Sequence, residues 1–214
     1  MIKILLIDDH AVVRNGIKLI LEDKFRPVTF GEASNSEQAY ELLRTDDWHL
    51  VLLDIRLPGT NGVEVLNKIK HAQPKLSVLI LSNYPESQYA VRLLKSGASG
   101  YLSKDAEESE IVQAVKLALG GHKYISDTVS KLLANQLKRE NVDPESLHEK
   151  LSNREYQVFL EIASGTRITD IAEKMNVSAK TVTTHRARIL EKMDFSTNAD
   201  IILYANKNLP MDNQ

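Results

Sequence analysis

Short runs rich in Val, Ile and Leu alternate with amphipathic stretches through the first 120 residues of the chain. The runs predict five β-strands, at residues 2–7, 28–33, 49–55, 76–82 and 100–103. Apolar residues at helical spacing between and after them predict five helices. Because the runs are nearly continuous in apolar residues rather than alternating, both faces of the sheet are expected to be covered. The sequence therefore predicts an α/β fold with a doubly wound, five-stranded parallel sheet.

The β pattern ends at Gly120-Gly121, and the residues that follow have only helical periodicity. We therefore predict a first domain over residues 1–120. Residues 121–148 are predicted to form a linker with one helix, which ends before Pro144 because proline cannot continue it. Residues 149–214 are predicted to form a small all-α domain of four helices, at residues 153–163, 168–175, 179–193 and 198–207.

Composition excludes several classes of site. The chain has no cysteine, so disulfides, thiolate zinc sites and cysteine nucleophiles are excluded. Lys and Arg number 27 and Asp and Glu 29, so a nucleic-acid partner requires a local basic patch rather than bulk positive charge. The longest apolar runs have the length of strands, and the amino terminus is predicted to be a strand rather than a signal peptide. We expect a cytoplasmic protein without membrane contact.

Three carboxylates and one lysine lie at the downstream ends of separate predicted strands. Asp8 and Asp9 follow the first strand, Asp54 lies near the end of the third, and Lys104 follows the fifth. Taken singly, the Asp8-Asp9 pair is equally consistent with a helix cap, and Lys104 with a solvated surface lysine. The carboxyl ends of neighbouring parallel strands meet at one edge, however, where open α/β sheets bind ligands. The sequence therefore predicts that the four charges form one site.

The chemistry of this set favours phosphoryl transfer. Clustered carboxylates repel one another, and their ionised form is tolerated only with a cation among them. Mg²⁺ suits the set because it binds through one or two carboxylates, waters and a phosphate oxygen. A carboxylate nucleophile, Mg²⁺ and a nearby ammonium are the groups that phosphoryl transfer requires. The prediction is an acyl phosphate formed on an aspartate.

The first domain resembles a response-regulator receiver domain, which has a flavodoxin-like fold. The motifs that carry the resemblance are Ile7-Asp8-Asp9-His10, Leu53-Asp54-Ile55-Arg56-Leu57-Pro58-Gly59 with Asn61-Gly62, Ser82, and Gly97-Ala98-Ser99-Gly100-Tyr101-Leu102-Ser103-Lys104. The resemblance implies that Asp54 accepts a phosphoryl group from a sensor histidine kinase. It also implies that Asp9 and Asp54 bind Mg²⁺ directly and Asp8 through water.

Further roles follow from the same resemblance. The backbone carbonyl of Arg56 is implied as a metal ligand, Lys104 as a contact to a phosphoryl oxygen, and Ser82 and Tyr101 as a switch pair. Taken alone, Ser82 is also consistent with an ordinary serine at the end of a strand. Asn83 follows Ser82, and Arg56 lies two residues past the acceptor. We hypothesise that Arg56 and Asn83 set the lifetime of the phosphoryl group.

The last domain contains a short helix, a turn and a longer helix at residues 168–193, a spacing shared by helix-turn-helix units and plain helical hairpins. The charge pattern favours DNA binding, because residues 178–192 hold Lys180, Arg186, Arg188 and Lys192 against Glu191 alone. One face of the longer helix carries Val182, Ile189, Leu190 and Met193, with His185 predicted as packing at its edge. The residues predicted to contact double-stranded DNA are Lys180, Thr181, Thr183, Thr184, Ala187 and Arg188.

Leu151-Ser152-Asn153-Arg154-Glu155, Ile171-Ala172 and the segment Ser178-Ala179-Lys180-Thr181-Val182-Thr183-Thr184-His185-Arg186 resemble the LuxR-type helix-turn-helix. The whole chain is therefore similar to a NarL/FixJ-type response regulator, a DNA-binding transcriptional regulator that forms a homodimer when phosphorylated. The resemblance implies that the last helix, with Ile201, Ile202 and Tyr204, pairs two such domains. Ile202 is equally consistent with plain core packing.

Three alternatives remain open from the sequence. An aspartyl-phosphatase enzyme also uses a strand-end aspartate and Mg²⁺, but it usually carries a second acid two residues later, where this chain has Arg56. A phosphorylation-independent DNA binder would keep the first domain for dimerisation only. In a phosphorylation-controlled regulator, the first domain either occludes the DNA-binding helix before phosphorylation or merely fails to dimerise. We expect no enzymatic turnover beyond self-catalysed phosphoryl acceptance and loss at Asp54.

Overall fold

A computed structural model describes residues 1–57, 60–140 and 147–209. The chain divides into two compact units, and the division falls between Leu133 and Ala134. The domain limits placed from sequence after residues 120 and 148 stay predictions. Some predicted features lie outside the described residues: Pro58-Gly59 of the motif after Asp54, the linker break at Asn141-Val142-Asp143-Pro144, and residues 210–214 of the last domain.

The first unit is built on a parallel sheet. Its strands are β1 (Ile2–Ile7), β2 (Val28–Ala33), β3 (Leu50–Asp54), β6 (Ser77–Ser82) and β7 (Gly100–Ser103), while β4 (Arg56–Leu57) and β5 (Thr60–Asn61) form a separate antiparallel pair. The five strands of the sheet lie in the order β2-β1-β3-β6-β7, and every neighbouring pair is parallel. The predicted five-stranded parallel sheet is confirmed; the β4–β5 pair was not predicted.

Helices cover both faces of this sheet. Those of the first unit are α1 (Ala11–Lys24), α2 (Ser36–Thr45), α3 (Gly62–Ala72), α4 (Glu86–Lys95) and α5 (Glu108–Leu119), and α6 (Asp127–Glu140) follows. Apolar residues of α1 and α5 pack with Leu6, Leu52 and other strand residues in one core cluster. Leu5 and Val51, which alternate with them, are also fully buried, so the opposite face is covered as well.

The chain that follows α5 packs against the first unit before it enters α6. The Tyr124 backbone N–H donates to the Ser99 carbonyl oxygen at 2.7 Å, and the Tyr124 ring belongs to the core cluster. The Ser126 hydroxyl donates to Glu86 Oε2 at 2.6 Å. Val129 is only 2% exposed. The beginning of the predicted linker is therefore part of this unit's core.

The second unit is all helical. It contains a short 3₁₀ helix (Leu147–Lys150), α7 (Asn153–Ala163), α8 (Ile168–Lys174), α9 (Ala179–Met193) and α10 (Asn198–Asn208). The four predicted helices are confirmed, and none of their ends differs from the predicted one by more than one residue. Within the described ranges, no helix is both long and apolar enough to cross a bilayer.

Local sequence signals define where these helices begin. Ser152 caps α7 in a capping box with Glu155, and Thr197 caps α10 in a second one. The Ser178 side chain accepts a hydrogen bond from the Thr181 backbone N–H at the start of α9. Helices α7 and α8 pack against α9 and each other, and α10 packs against α7; the buried core of these helices contains Phe159, Ile171, Val182, Ile189 and Ile201.

Candidate functional site

The carboxyl ends of β1, β3 and β7 bring three of the predicted charged side chains together at one edge of the sheet. Lys104 Nζ lies 2.7 Å from Asp54 Oδ2 and 2.7 Å from Asp8 Oδ2. All three side chains are buried, with 7% of Lys104, 5% of Asp8 and 2% of Asp54 exposed. The predicted convergence is confirmed for these residues, whose roles stay predictions.

Asp9 completes the acidic cluster from its exposed side. One carboxylate oxygen from each of Asp8, Asp9 and Asp54 lies with a ring nitrogen of His10 in a group whose atoms are within 4.8 Å of one another. Among the described residues, Asp8 Oδ2 has no partner other than the Lys104 ammonium, which lies 2.7 Å away. Three carboxylates against one ammonium leave net negative charge, which a hard divalent cation offsets. These oxygen donors therefore fit Mg²⁺.

Asp54 is buried but held by two donors. The Arg56 backbone N–H donates to Oδ1 at 3.0 Å, and Lys104 Nζ donates to Oδ2 at 2.7 Å. Burial is the largest influence on the Asp54 pKa and raises it, while the hydrogen bonds from Lys104 and Arg56 oppose that shift. The net direction is upward, so a cation in the cluster would favour the ionised, nucleophilic carboxylate.

Lys104 is fixed at both its backbone and its side chain. Its backbone N–H donates to the Ser82 carbonyl oxygen at 3.1 Å, which joins the ends of β6 and β7. Burial is the largest influence on the Lys104 pKa and lowers it, but the hydrogen bonds and charges of Asp54 and Asp8 outweigh it. The pKa is raised overall, so Lys104 presents a charged ammonium beside the Asp54 carboxylate.

Gly62 allows the chain to pass close to the back of Asp54. A Cβ at this position would lie 2.1 Å from the Asp54 carbonyl oxygen and 2.7 Å from the Ile55 Cα. The Gly62 backbone N–H also donates to the Ile55 carbonyl oxygen at 2.8 Å. Any side chain here would therefore displace the strand end that carries Asp54. Steric crowding by the backbone of Asp54 and Ile55 therefore explains why glycine is needed at position 62 of the Asn61-Gly62 motif.

Arg56 and Asn83 both have exposed side chains; Arg56 lies two residues after Asp54, and Asn83 directly follows Ser82. Arg56 lies in β4, opposite Asn61 of β5. The part of Arg56 that contacts Asp54 in the described structure is its backbone N–H. The role of its carbonyl oxygen as a metal ligand stays a prediction.

Ser82 and Tyr101 are both buried and are connected through the backbone of Tyr84. Ser82 Oγ accepts from the Tyr84 N–H at 3.2 Å, and the Tyr101 hydroxyl donates to the Tyr84 carbonyl oxygen at 2.7 Å. Tyr101 is 1% exposed, and burial raises its pKa. In this structure the Tyr101 ring therefore occupies an interior position.

Several contacts of the site were not identified from the sequence. His10 Nδ1 lies 3.0 Å from Asp8 Oδ1 and 2.8 Å from Asp9 Oδ1. Arg14, on the first turn of α1, donates to the Asp8 carbonyl oxygen and to Glu32. Glu32 lies near the carboxyl end of β2, at the same edge of the sheet as Asp8. That position is the sequence signal from which its closeness to the site could have been predicted.

Helix α9 presents the predicted DNA-binding residues to solvent. Val182, Ile189 and Met193 are buried, Leu190 and His185 are half-buried, and burial lowers the pKa of His185. The predicted contact residues are all exposed: Lys180, Thr181, Thr183, Thr184, Ala187 and Arg188. The predicted division of α9 into a packed face and an exposed face is confirmed.

Two of the four basic residues on α9 are used within the domain. Arg186 Nε donates to Asn198 Oδ1 at 2.6 Å, and Lys192 Nζ lies 2.7 Å from Glu155 Oε2. In the described part of the chain, neither Lys180 nor Arg188 forms an ion pair. The positive charge that α9 can offer to a phosphate or a base edge is therefore concentrated at Lys180 and Arg188.

Helix α10 carries a large exposed apolar side chain. Ile201 is fully buried, while Ile202 and Tyr204 are half-buried. Leu203 is 68% exposed. It was not among the residues of α10 that the sequence analysis named for pairing, which were Ile201, Ile202 and Tyr204. Pairing of two chains through α10 stays a prediction, and Leu203 is the apolar side chain most accessible for it.

Two family models match the chain. The model of the response regulator receiver domain matches residues 4–116, and the model of bacterial regulatory proteins of the luxR family matches residues 149–205. The response regulator UvrY of Escherichia coli K12 is 36% identical over 202 residues, which cover 94% of this chain and 92% of that protein. The response regulator GacA of Pseudomonas aeruginosa is 34% identical over 215 residues, covering 99% of each.

Solved structures show the same arrangement of domains along the chain. RcsB from Salmonella enterica serovar Typhimurium, bound to promoter P1flhDC in the presence of the phosphomimetic BeF₃⁻, has a TM-score of 0.60 and 25% sequence identity to this chain. The match covers 95% of this chain and 97% of RcsB. The likeness to RcsB thus extends over both units and nearly the full length of each chain.

Proposed function

The chain belongs to the response regulators of the NarL/FixJ type, in which a receiver domain precedes a LuxR-type helix-turn-helix domain, and we propose that phosphorylation of Asp54 controls its binding to DNA. The observation that supports this most is the buried cluster in which Lys104 Nζ lies 2.7 Å from carboxylates of both Asp8 and Asp54. A structural ion pair needs one carboxylate; a second one, with Asp9 beside it, suits a cation and a phosphoryl group.

Phosphoryl acceptance uses Asp54 as the nucleophile. A carboxylate oxygen of Asp54 attacks phosphorus, and the bond between phosphorus and the imidazole nitrogen of the kinase histidine breaks. The nitrogen leaves with the bonding electron pair and is protonated by solvent. Lys104 then exchanges its contact with the carboxylate for one with a phosphoryl oxygen. Asp8, Asp9 and Asp54 would hold Mg²⁺, which would supply positive charge against the phosphoryl oxygens.

Ser82 and Tyr101 would carry the change away from Asp54. A phosphoryl group offers the Ser82 hydroxyl a strong acceptor. Because Ser82 Oγ accepts from the Tyr84 N–H, a movement of Ser82 shifts the backbone of Tyr84, whose carbonyl accepts from Tyr101. Phosphorylation therefore stabilises one arrangement of the β6–α4 connection relative to another, which is a population shift.

The output is a homodimer on double-stranded DNA. Exposed Lys180 and Arg188 on α9 support the contact with DNA, and exposed Leu203 supports pairing through α10. A sensor histidine kinase is the proposed phosphoryl donor, and the cytoplasm, where DNA and kinase domain are both accessible, is the proposed location. The chain would be a switch rather than a turnover enzyme.

One experiment tests the proposal. The full chain is incubated with acetyl phosphate and Mg²⁺, and bound phosphoryl groups are counted by intact mass; sedimentation then measures dimerisation, and binding to a pool of random duplexes measures DNA affinity. We expect one stable phosphoryl group, more dimer and tighter DNA binding. The Asp54→Ala chain should show none of the three.

The alternatives give different results in the same experiment. An aspartyl-phosphatase enzyme would release phosphate repeatedly without retaining a phosphoryl group. A phosphorylation-independent DNA binder would bind DNA equally with and without acetyl phosphate. Either result would contradict the proposed function.

A further inference from the structure

Arg14 connects the acidic cluster to the neighbouring strand. Its Nη1 donates to the Asp8 carbonyl oxygen at 2.6 Å, and its Nε donates to Glu32 Oε2 at 2.8 Å. The side chain is 15% exposed. It also lines a small pocket together with Asp8 and Asp54. The planar guanidinium thus donates one N–H to the backbone of Asp8 and another to the Glu32 carboxylate in β2.

Every polar atom of Asp8 has a neighbour, and Arg14 supplies the one on the carbonyl. The Asp8 N–H donates to the Ala33 carbonyl oxygen at 3.1 Å. Oδ1 accepts from the His10 N–H at 2.8 Å, and Oδ2 lies 2.7 Å from Lys104 Nζ. The Asp8 carbonyl oxygen belongs to the peptide that joins Asp8 to Asp9. Arg14 therefore holds the orientation of the peptide between two of the cluster's carboxylates.

Glu32 holds Arg14 in this orientation. It is the residue before Ala33 in β2 and lies opposite Leu6 of β1. Lys18 also contacts the Glu32 carboxylate, and its hydrogen bond, followed by that of Arg14, lowers the Glu32 pKa. Glu32 is therefore a charged acceptor shared by two cations. Only Arg14 of the two extends from it to Asp8, as far as the described residues show.

We propose that Arg14 is a positioning residue of the acidic site, which holds the Asp8–Asp9 peptide so that both carboxylates face the position of Mg²⁺. This inference rests on the proposed function, because it assigns a role at the same site. Substitution of a group that orients metal ligands typically weakens metal binding by about 10- to 100-fold. A merely structural arginine would change stability without changing affinity for the ion.

Charge and positioning predict opposite results. Arg14 is a cation close to a cation site, so by Coulomb's law alone its removal would tighten Mg²⁺ binding. If Arg14 positions the peptide, its removal weakens binding despite the lost repulsion. Lys18 is the matched control, since Lys18→Met also removes one positive charge from Glu32 but leaves the contact between Arg14 and Asp8.

The test is the Mg²⁺ dissociation constant of the full chain, measured by titration calorimetry, with the midpoint of thermal unfolding in EDTA measured beside it. We expect binding weaker by about tenfold in Arg14→Met, an intermediate loss in Arg14→Lys, and a change of less than about twofold in Lys18→Met. Lysine keeps the charge but cannot hold Asp8 and Glu32 with one planar fork.

The outcomes separate the two proposals. If the unsubstituted chain binds Mg²⁺ and folded Arg14→Met binds it as tightly or more tightly, the role of Arg14 is overturned and the proposed function stands. If the unsubstituted chain binds no Mg²⁺, the proposed function fails first. If Arg14→Met does not fold, Arg14→Lys decides, and binding equal to that of the unsubstituted chain overturns the inference.

Discussion

The side chains of Arg56 and Asn83 are exposed, and the two residues follow Asp54 and Ser82 closely in the chain, whereas Asp54 itself is almost fully buried. Water that hydrolyses a phosphoryl group on Asp54 must reach this buried carboxylate from solvent, and the hypothesis is that these two exposed side chains control its access. We predict that replacing Arg56 by Met and Asn83 by Ala together changes the rate of phosphoryl loss severalfold. Release of label from the phosphorylated chain measures it, and a rate equal to that of the unsubstituted chain would contradict the prediction.

Tyr101 contributes a buried hydrogen bond as well as a ring. Tyr101→Phe leaves the Tyr84 carbonyl oxygen without the hydroxyl that donates to it at 2.7 Å. We expect the free energy of unfolding of the receiver unit to fall by about 1–2 kcal/mol. Urea unfolding followed through the fluorescence of Trp48, the only tryptophan, measures this.

Tyr40→Phe is the control for that substitution. The Tyr40 hydroxyl is buried and has no hydrogen-bond partner among the described residues, so its removal is expected to leave stability unchanged or slightly higher. The Tyr40 ring, with Lys68 Nζ at 4.6 Å from its centroid, stays in place. Equal losses in the two variants would show that the hydrogen bond from Tyr101 contributes nothing specific.

The main site residues could be predicted because strand periodicity alone locates them. Asp8, Asp54 and Lys104 each lie at the end of an apolar run, and parallel pairing brings those ends together. Arg14 and Glu32 could not be found this way. Their contact depends on the angle at which α1 packs over β1 and β2, and a long side chain reaches several possible partners from one helix position.

At the level of elements, α7 depends on an ionised glutamate at its start. Glu155 is 3% exposed. Its carboxylate accepts a hydrogen bond from the Ser152 backbone N–H in the capping box and pairs with Lys192 at 2.7 Å. Burial is the largest single influence on the Glu155 pKa and raises it. The hydrogen bonds from Lys192 and Ser152 and the charge of Lys192 together lower it by more, so the folded pKa is below the ordinary value of 4.5.

A lowered folded pKa gives stability that is present above about pH 4.5 and is lost as the pH falls through the folded value. We predict that the protection of the α7 amides against hydrogen exchange in the full chain decreases over that interval. Glu155→Gln should remove this acid dependence and cost about 2 kcal/mol at neutral pH. The measurement is the protection factor of the α7 amides in the two chains between pH 3 and pH 7, in which the exchange rate is corrected for its own pH dependence in an unstructured chain. An unchanged acid dependence in Glu155→Gln would exclude Glu155 as its source.

The elements themselves were largely predictable apart from the β4–β5 pair, and the packing of the chain after α5 was missed for a physical reason. Strands and helices with strong periodicity, such as β1, α7 and α9, match their predicted bounds. The chain around Tyr124 has no regular periodicity and was assigned to the linker. Its burial comes from one aromatic ring and a few hydrogen bonds to the sheet edge, which no local pattern encodes.

For the whole molecule, binding to DNA is expected to depend on very few charges. We predict that Arg188→Ala weakens DNA binding by about 1–3 kcal/mol in the phosphorylated full chain. If Arg188 contacts a phosphate, the slope of log affinity against log salt concentration also becomes shallower by about one. If it contacts a base, discrimination between DNA sequences decreases instead.

Lys131→Ala provides the matched control, because it removes the same charge from an exposed residue of α6 in the first unit. Its DNA affinity should equal that of the unsubstituted chain. The measurement is the DNA affinity of Arg188→Ala, Lys131→Ala and the unsubstituted chain over a range of salt concentrations. Equal losses in the two variants would mean that net charge, rather than the α9 surface, governs the interaction.

The threonines on α9 use their hydroxyl protons inside the helix. Thr183 Oγ1 donates to the Ala179 carbonyl oxygen at 2.9 Å, and Thr184 Oγ1 donates to that of Lys180 at 2.9 Å. What remains on the outer side of these residues is a methyl group and an oxygen lone pair. Such a surface complements the thymine C5-methyl and the amino groups of adenine and cytosine better than the acceptor edge of guanine.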